Sequence, residues 1–139
     1  RLSTSPSEYE LAERNFETAI EIKTNYDECH YFFGKLLAEG EKMNKDGTLV
    51  IDPQLDRANE QFNEAIRINP KNYKSHYQLG LLLYRQKDYL AAFDSLQEVI
   101  KINPKFAEGH YQLAVLLMDE QAQQAFGKRR KKSRNSKTS

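Results

Sequence analysis

Residues 73–106 read YKSHYQLGLLLYRQKDYLAAFDSLQEVIKINPKF. Residues 75–86 place apolar and small side chains at helical spacing, and the polar pair at 87–88 interrupts this pattern. Residues 89–102 carry apolar side chains three or four positions apart, which predicts one continuous apolar helix face. Asn103-Pro104 ends this helix because proline lacks an amide proton and disfavours helical geometry in the residue before it. The stretch therefore predicts two antiparallel helices joined by a tight turn.

The same pattern recurs on both sides of this stretch. The segment HYQLG at 76–80 returns as HYQLA 34 residues downstream and as HYFFG 46 residues upstream. A repeated helix pair at a nearly fixed period indicates an all-α solenoid. The second helices match at four positions: Ala12, Ala58 and Ala92; Phe16, Phe62 and Leu96; Ala19, Ala65 and Val99; Ile22, Ile68 and Ile102.

These units resemble tetratricopeptide repeats, whose pattern places an aromatic residue, Leu-Gly, a second aromatic residue, Ala, Phe, Ala and Pro over 34 residues. The resemblance covers residues 8–120 and departs from the family where its usual tryptophan is replaced by His30, His76 and His110. It implies a right-handed superhelical solenoid of antiparallel helix pairs. About three repeats are expected, with an incomplete repeat at each end.

The domain organisation follows from the repeat boundaries. We expect a disordered segment or linker at 1–7, a repeat domain at 8–126 and a basic disordered tail at 127–139. Ser7 and Glu10 predict a capping box for the first helix. The repeat domain divides into a partial repeat 8–26, a repeat with an insertion 27–72, a complete repeat 73–106 and a partial repeat 107–126. Uncovered helix faces at both ends predict self-association or low stability, and they indicate a piece of a longer array.

The insertion, at residues 41–53, adds about twelve residues to one repeat. Asp46-Gly47 predicts a turn within it, and a short apolar run follows. Two interpretations of Leu49, Val50 and Ile51 are open. They fold back on the adjacent helices, which we favour, or they contact a partner.

Composition excludes several classes of function. The single cysteine, Cys29, rules out an internal disulfide, and no apolar run is long enough to span a membrane. His30, His76 and His110 occupy equivalent positions in successive repeats, about 8–10 Å apart, and should not share a metal ion. No phosphate-binding glycine loop or nucleophile motif is present. We expect no catalytic residue, metal or cofactor and a cytoplasmic location, and the start at Arg1 indicates a processed or excised segment.

The resemblance implies that the first helices line a concave groove that binds a partner peptide or helix. Tyr31, Tyr77 and Tyr111 fall in register there, and tyrosine combines a large contact area with a hydrogen-bonding hydroxyl. Alternatively, these tyrosines pack against the next repeat. The predicted groove residues are Tyr31, Lys35, Lys74, Tyr77, Gln78, Leu81, Arg85, Glu108, Tyr111 and Gln112.

The family's carboxylate clamp for chaperone tails provides a test of partner type. The clamp uses lysine, asparagine and arginine side chains of three successive first helices. At the aligned positions this chain has Tyr31 and Lys35 in one helix, Gln78 in the next, and Glu108 and Gln112 in the third. Glu108 would repel a carboxylate at a position where the clamp needs a cation. The sequence therefore disfavours a chaperone co-factor.

The C-terminal segment 128–139 carries seven basic residues and no acidic one, although the net charge of the whole chain is only +1. A solvated disordered tail is the first interpretation. The alternatives are a nuclear import signal, which would add a nuclear location, or a salt-sensitive contact with nucleic acid or another acidic polymer. The expected auxiliary contacts are Lys128, Arg129, Arg130, Lys131 and Lys132.

The sequence as a whole predicts a protein-interaction scaffold within a larger multi-protein assembly. One alternative is the substrate-selecting repeat region of a larger enzyme, such as a glycosyltransferase. The other is an RNA-associated assembly factor that uses the basic tail. No membrane contact is expected.

Overall fold

The computed structural model describes residues 6–43, 46–51 and 53–138. The predicted linker at 1–7 therefore lies outside the described residues, except for its last two positions. The described chain contains seven helices and one pair of strands, which confirms the all-α class. The elements are α1 (Glu8–Ile22), α2 (Asp27–Glu39), β1 (Glu41–Met43), β2 (Leu49–Ile51), α3 (Leu55–Ile68), α4 (Tyr73–Arg85), α5 (Tyr89–Ile102), α6 (Ala107–Met118) and α7 (Glu120–Thr138).

The chain forms two compact units, Arg1–Ser75 and His76–Ser139. We refer to them as the N-terminal unit and the C-terminal unit. Helix α4 begins at the end of the first unit and continues into the second. Each unit is described separately below.

The N-terminal unit is built around Phe62, which is completely buried. Gly34 of α2 faces the Phe62 ring, and a Cβ at this glycine would lie only 2.6 Å from the Phe62 Cε1 atom. The absence of a side chain at Gly34 lets α2 and α3 approach closely. Phe33 is also buried and stacks on Phe16 of α1, with 5.5 Å between the ring centroids. Glycine and aromatic positions of the repeated pattern are thus in direct contact in this unit.

Polar contacts fix the helix ends of this unit. The predicted capping box at α1 is confirmed, because Glu10 N donates to Ser7 Oγ at 3.2 Å and Ser7 N donates to Glu10 Oε2 at 2.9 Å. The amides of Asn69 and Asn72 both donate to Asp27 Oδ2, at 3.0 and 3.1 Å. The loop after α3 is thereby joined to the start of α2.

The insertion forms a β-hairpin, with β1 and β2 antiparallel and Lys42 opposite Val50. The predicted turn at Asp46-Gly47 is present, and Asp46 Oδ1 accepts hydrogen bonds from Thr48 N and Oγ1 at 3.0 and 2.6 Å. The favoured interpretation of the apolar run is wrong. Leu49, Val50 and Ile51 do not fold back into a core, since they are 57%, 37% and 66% exposed.

The C-terminal unit has its core where α5, α6 and α7 meet, at Ala92, Leu96, Leu116 and Ala122. Gly80 of α4 faces this core, and a Cβ there would lie 2.9 Å from Leu96 Cγ. Gly80 therefore allows α4 and α5 to approach closely at Leu96, as Gly34 allows α2 and α3 to approach at Phe62.

The last helix corrects the sequence prediction. Residues 127–138, which were predicted as part of a basic disordered tail, are helical, because α7 continues to Thr138; Ser139 lies outside the described residues. Lysine and arginine are good helix formers, and a single glycine in a helix costs only about 1 kcal/mol relative to alanine. Ala122 is fully buried and Phe126 packs against the same core, which anchors the start of α7.

Candidate partner-binding surface

Helices α4 and α6 bring four of the predicted groove residues into one cluster. The cluster consists of Tyr77, Glu108, Tyr111 and Gln112. Burial of the Tyr77 hydroxyl raises its pKa, and the nearby Glu108 carboxylate raises this pKa further. A hydrogen bond with Gln112 lowers the pKa of Tyr77, and Tyr111 has a smaller raising effect. Tyr77 also contacts Phe106 edge to face, with 5.1 Å between the ring centroids. The predicted register of α4 and α6 therefore places these side chains together.

The two tyrosines of this cluster differ in exposure. Tyr77 is half-buried, whereas Tyr111 is 66% exposed and presents most of its ring to solvent. The other predicted groove residues of the C-terminal unit, Gln78, Leu81 and Arg85, belong to α4. Gln78, Leu81 and Gln112 are half-buried, and Arg85 and Glu108 are exposed.

The predicted residues of the N-terminal unit have packing roles. Tyr31 of α2 contacts Phe32 edge to face at 4.9 Å and Phe62 at 6.4 Å between ring centroids. The Nζ atom of Lys35 lies 5.8 Å from the centroid of the Tyr31 ring. Lys74, at the start of α4, is exposed. Phe62 and Phe106, the rings that Tyr31 and Tyr77 contact, belong to the same predicted repeats as these tyrosines, so packing against the next repeat stays a prediction.

A second polar cluster, at the α6–α7 junction, was not predicted. The Tyr84 hydroxyl donates to Asp119 Oδ2 at 2.7 Å, and Tyr89 donates to Gln121 Oε1 at 2.6 Å. Asp119 also caps α7, because its Oδ1 accepts from Ala122 N at 3.0 Å. The preference of aspartate for the N-cap position could have predicted the capping role of Asp119 from the sequence.

Acid is expected to weaken this cluster. The hydrogen bond from Tyr84, followed by that from Ala122 N, lowers the pKa of Asp119 below its ordinary value of 3.8. A carboxylate whose folded-state pKa is lowered contributes stability above its unfolded pKa and loses it as the pH falls through the folded value. Asp119→Asn keeps a good N-cap residue but removes the titration. Urea unfolding should therefore show a smaller loss of stability below pH 3.8 in Asp119→Asn than in the wild type.

Tyr84→Phe provides the matched control, because it removes the largest cause of the lowered pKa and leaves the carboxylate in place. It should reduce the acid-dependent loss in the same direction. Equal acid dependence in all three proteins would contradict this assignment.

The histidines and the cysteine have structural contacts. His30 is buried, with its Nδ1 atom 2.7 Å from Gln61 Oε1, and His110 Nε2 lies 2.7 Å from the Pro104 carbonyl oxygen. Burial raises the pKa of the Cys29 thiol, which disfavours the nucleophilic thiolate. Among residues 6–43, 46–51 and 53–138, no group of three or more histidine, cysteine, aspartate or glutamate side chains could hold a metal ion.

Two family models match the centre of the chain. One, described as TPR repeat, matches residues 54–87, and the other, described as Tetratricopeptide repeat, matches residues 73–106. Residues 54–106 thus match tetratricopeptide repeats. The second match spans α4 and α5, the helix pair from which the sequence pattern was first recognised.

Two solved structures share this fold. A mutant of the Thermobaculum terrenum O-GlcNAc transferase has a TM-score of 0.63 at 22% identity, over 76% of this chain and 18% of the transferase chain. The crystal structure of MamA has a TM-score of 0.64 at 20% identity, over 86% of this chain and 66% of MamA. This chain thus spans less than two thirds of either protein. The comparison with curated proteins found no match.

The repeat assignment gives each surface a position in the family architecture. The matched repeat 73–106 has α4 as its first helix and α5 as its second helix. The predicted auxiliary residues from Lys128 to Lys132 are exposed on α7. In the described part of the chain, no helix is long and apolar enough to cross a membrane.

Proposed function

We propose that this protein-interaction repeat domain binds a peptide or helix of a partner protein on the exposed face of its first helices. In the C-terminal unit this face is formed by Tyr77, Gln78, Leu81, Arg85, Glu108, Tyr111 and Gln112. In the N-terminal unit Tyr31 and Lys35 would serve the same purpose, with Lys74 at the start of α4. The hairpin and α7 are auxiliary contacts, and the protein works within a larger assembly.

The exposure of Tyr111 is the observation that carries the proposal. A tyrosine ring that is 66% exposed on a helix contributes little to the core of its own unit. Covering this ring with a partner would bury a large apolar area at a small cost in side-chain entropy, which is why tyrosine is enriched in binding hot spots. Gln112 and Glu108 lie in the same cluster and supply hydrogen-bonding and acidic groups.

The charges of this face favour one class of partner. Glu108 would repel an acidic segment and attract lysine or arginine, while Gln78 and Gln112 can pair with backbone amides. A neutral or basic segment in an extended or helical form therefore fits better than an acidic chain terminus. The exposed Arg85 adds a position for a single carboxylate at the end of α4.

A second candidate function is substrate selection for an attached enzyme. It draws on the fold shared with an O-GlcNAc transferase, of which this chain spans 18%. The partner segment would then be the substrate of a catalytic domain elsewhere in the parent protein. An association with RNA through α7 is the remaining alternative, and it predicts capture that is lost at high salt.

Tyr111→Ala is expected to reduce partner capture about tenfold, because a hot-spot tyrosine contributes more than about 1 kcal/mol and 1.4 kcal/mol corresponds to a factor of ten. The measurement is quantitative affinity capture from native extract. Met118→Ala is the matched control, since Met118 lies on the same helix and is 78% exposed. The exposure of both residues should leave the melting temperatures unchanged.

Light scattering before capture establishes the oligomeric state. The exposed Leu11, Ile22 and Phe32 side chains of the N-terminal unit are consistent with the expected self-association.

Partners held equally by Tyr111→Ala and the wild type would contradict the proposed face. Capture that requires α7 and disappears after ribonuclease treatment would favour the RNA alternative.

A further inference from the structure

We infer that a groove formed by α5, α6 and α7 is a second binding site, for an acidic peptide that carries a bulky apolar side chain. The groove has a volume of about 610 Å³ and lies entirely within the C-terminal unit. It is lined by Phe93, Asp94, Gln97, Leu117, Gln123, Phe126, Arg129 and Arg130. None of these residues belongs to the face of the first helices proposed above, although Arg129 and Arg130 are among the predicted auxiliary contacts.

The apolar part of the groove suits a large side chain. Phe93 and Phe126 contact each other with 5.1 Å between their ring centroids, and Leu117 beside them is 45% exposed. Two aromatic rings and a leucine provide an apolar surface that a leucine or phenylalanine side chain can cover. This surface is too small for a membrane, and the α7 residues beyond Phe126 have no apolar face that could lie on a bilayer.

The charged part of the groove selects acidic groups. Arg129 Nη1 lies 3.4 Å from Asp94 Oδ1, and both side chains are more than half exposed, which makes this ion pair weak. Arg130 has no ion pair among the described residues, and Lys128 lies on the same helix. The groove therefore presents one cation that is already engaged by Asp94 and one that is open to a ligand carboxylate.

The pairing of apolar and cationic surfaces distinguishes this ligand from nucleic acid. A phosphate backbone would bind the basic residues all around α7, including Arg134, without a preference for the groove. An acidic peptide with an apolar anchor would instead depend on Arg130 and on the residues beside it. A substitution in the groove and one farther along α7 should therefore have different effects for an acidic peptide and equal effects for nucleic acid.

Fluorescence anisotropy with a labelled synthetic peptide tests the inference. The probe carries Asp and Glu residues around a central Leu-Phe pair, and a control peptide has Ser-Ser in place of Leu-Phe. Arg130→Glu should weaken binding of the probe about tenfold, as expected when a charged hydrogen bond is lost. Arg134→Glu is the matched control, because it makes the same charge change outside the groove, and it should weaken binding less than about threefold.

A variant with improved binding excludes misfolding as an explanation. Asp94→Asn removes the carboxylate that engages Arg129 and should tighten binding about threefold, since Arg129 becomes available to the ligand. Circular dichroism of all variants should show unchanged helix content. Tyr111→Ala should leave binding of the probe unchanged, so that failure here does not affect the face of the first helices.

Three outcomes would overturn the inference. The first is equal weakening by Arg130→Glu and Arg134→Glu, which would indicate general binding of polyanions by α7. The second is equal affinity for the Leu-Phe and Ser-Ser peptides, which would exclude the apolar contact. The third is the absence of binding by both the wild type and Asp94→Asn.

Discussion

Replacing Phe62 with alanine is expected to lower the free energy of unfolding by about 3–5 kcal/mol. Phe62 is completely buried in the N-terminal unit and lies directly against Gly34. Because Gly34 has no side chain that could move into the space, the cavity left by the ring would stay largely open. Urea unfolding followed by far-UV circular dichroism measures the change.

Phe32→Ala is the matched control for this prediction. Phe32 belongs to the same unit but is 51% exposed, and its contact with Tyr31 is the main one lost. An aromatic pair contributes about 0.5–1.5 kcal/mol, so the loss should be much smaller than for Phe62. Equal losses for the two variants would show that Phe62 is not the centre of this core.

Gly80→Leu is expected to destabilise the C-terminal unit by about 1–3 kcal/mol through overpacking. A Cβ at Gly80 would lie 2.9 Å from Leu96 Cγ and 3.0 Å from Leu96 Cδ2, and Leu96 is only 1% exposed. The new side chain would therefore force α4 and α5 apart. Thermal and urea unfolding should both show the loss.

Two further variants isolate this cause. Leu96→Ala should offset part of the damage when combined with Gly80→Leu, so the double variant should lose less than the sum of the single losses. Gly127→Leu makes the same change on α7, where a Cβ would meet nothing within 4 Å, and it should not destabilise the protein. Equal losses at both glycines would contradict the close approach at Gly80.

The close approaches at Gly34 and Gly80 could be predicted because they are local consequences of the repeat. A small residue facing Phe62 or Leu96 recurs in the pattern, and the structure places each glycine against that side chain. Helix ends were also predictable, since capping and proline signals such as those of Ser7 and Pro104 act within a few residues.

The continuation of α7 could not be predicted from the local sequence, because Gly127 and a run of like charges are typical of a helix end. Both weaken a helix by only small amounts, whereas the anchoring of Ala122 and Phe126 in the core depends on contacts distant in sequence. The β-hairpin was missed for a related reason. Its turn at Asp46-Gly47 is a local signal, but the pairing of β1 with β2 is not.

The exposure of the predicted groove residues could not be derived from spacing alone. Tyr31, Tyr77 and Tyr111 hold equivalent positions in the repeats, yet Tyr31 and Tyr77 pack against phenylalanine rings and Tyr111 is largely exposed. The difference arises from which ring each tyrosine meets in its own unit. The family resemblance therefore predicts the positions, and the structure shows that their side chains differ in exposure.

The most direct test of partner binding by the first helices is site-specific photo-crosslinking. A photoreactive phenylalanine analogue would replace Tyr111 on α6 or, as a control, Glu60, an exposed residue of α3. Each labelled protein is irradiated with native extract, and cross-linked proteins are identified by mass spectrometry. We expect a discrete protein adduct from position 111 that a peptide from the captured partner abolishes, and none from position 60. Adducts of equal yield at both positions, or adducts at position 60 alone, would contradict the proposed binding face.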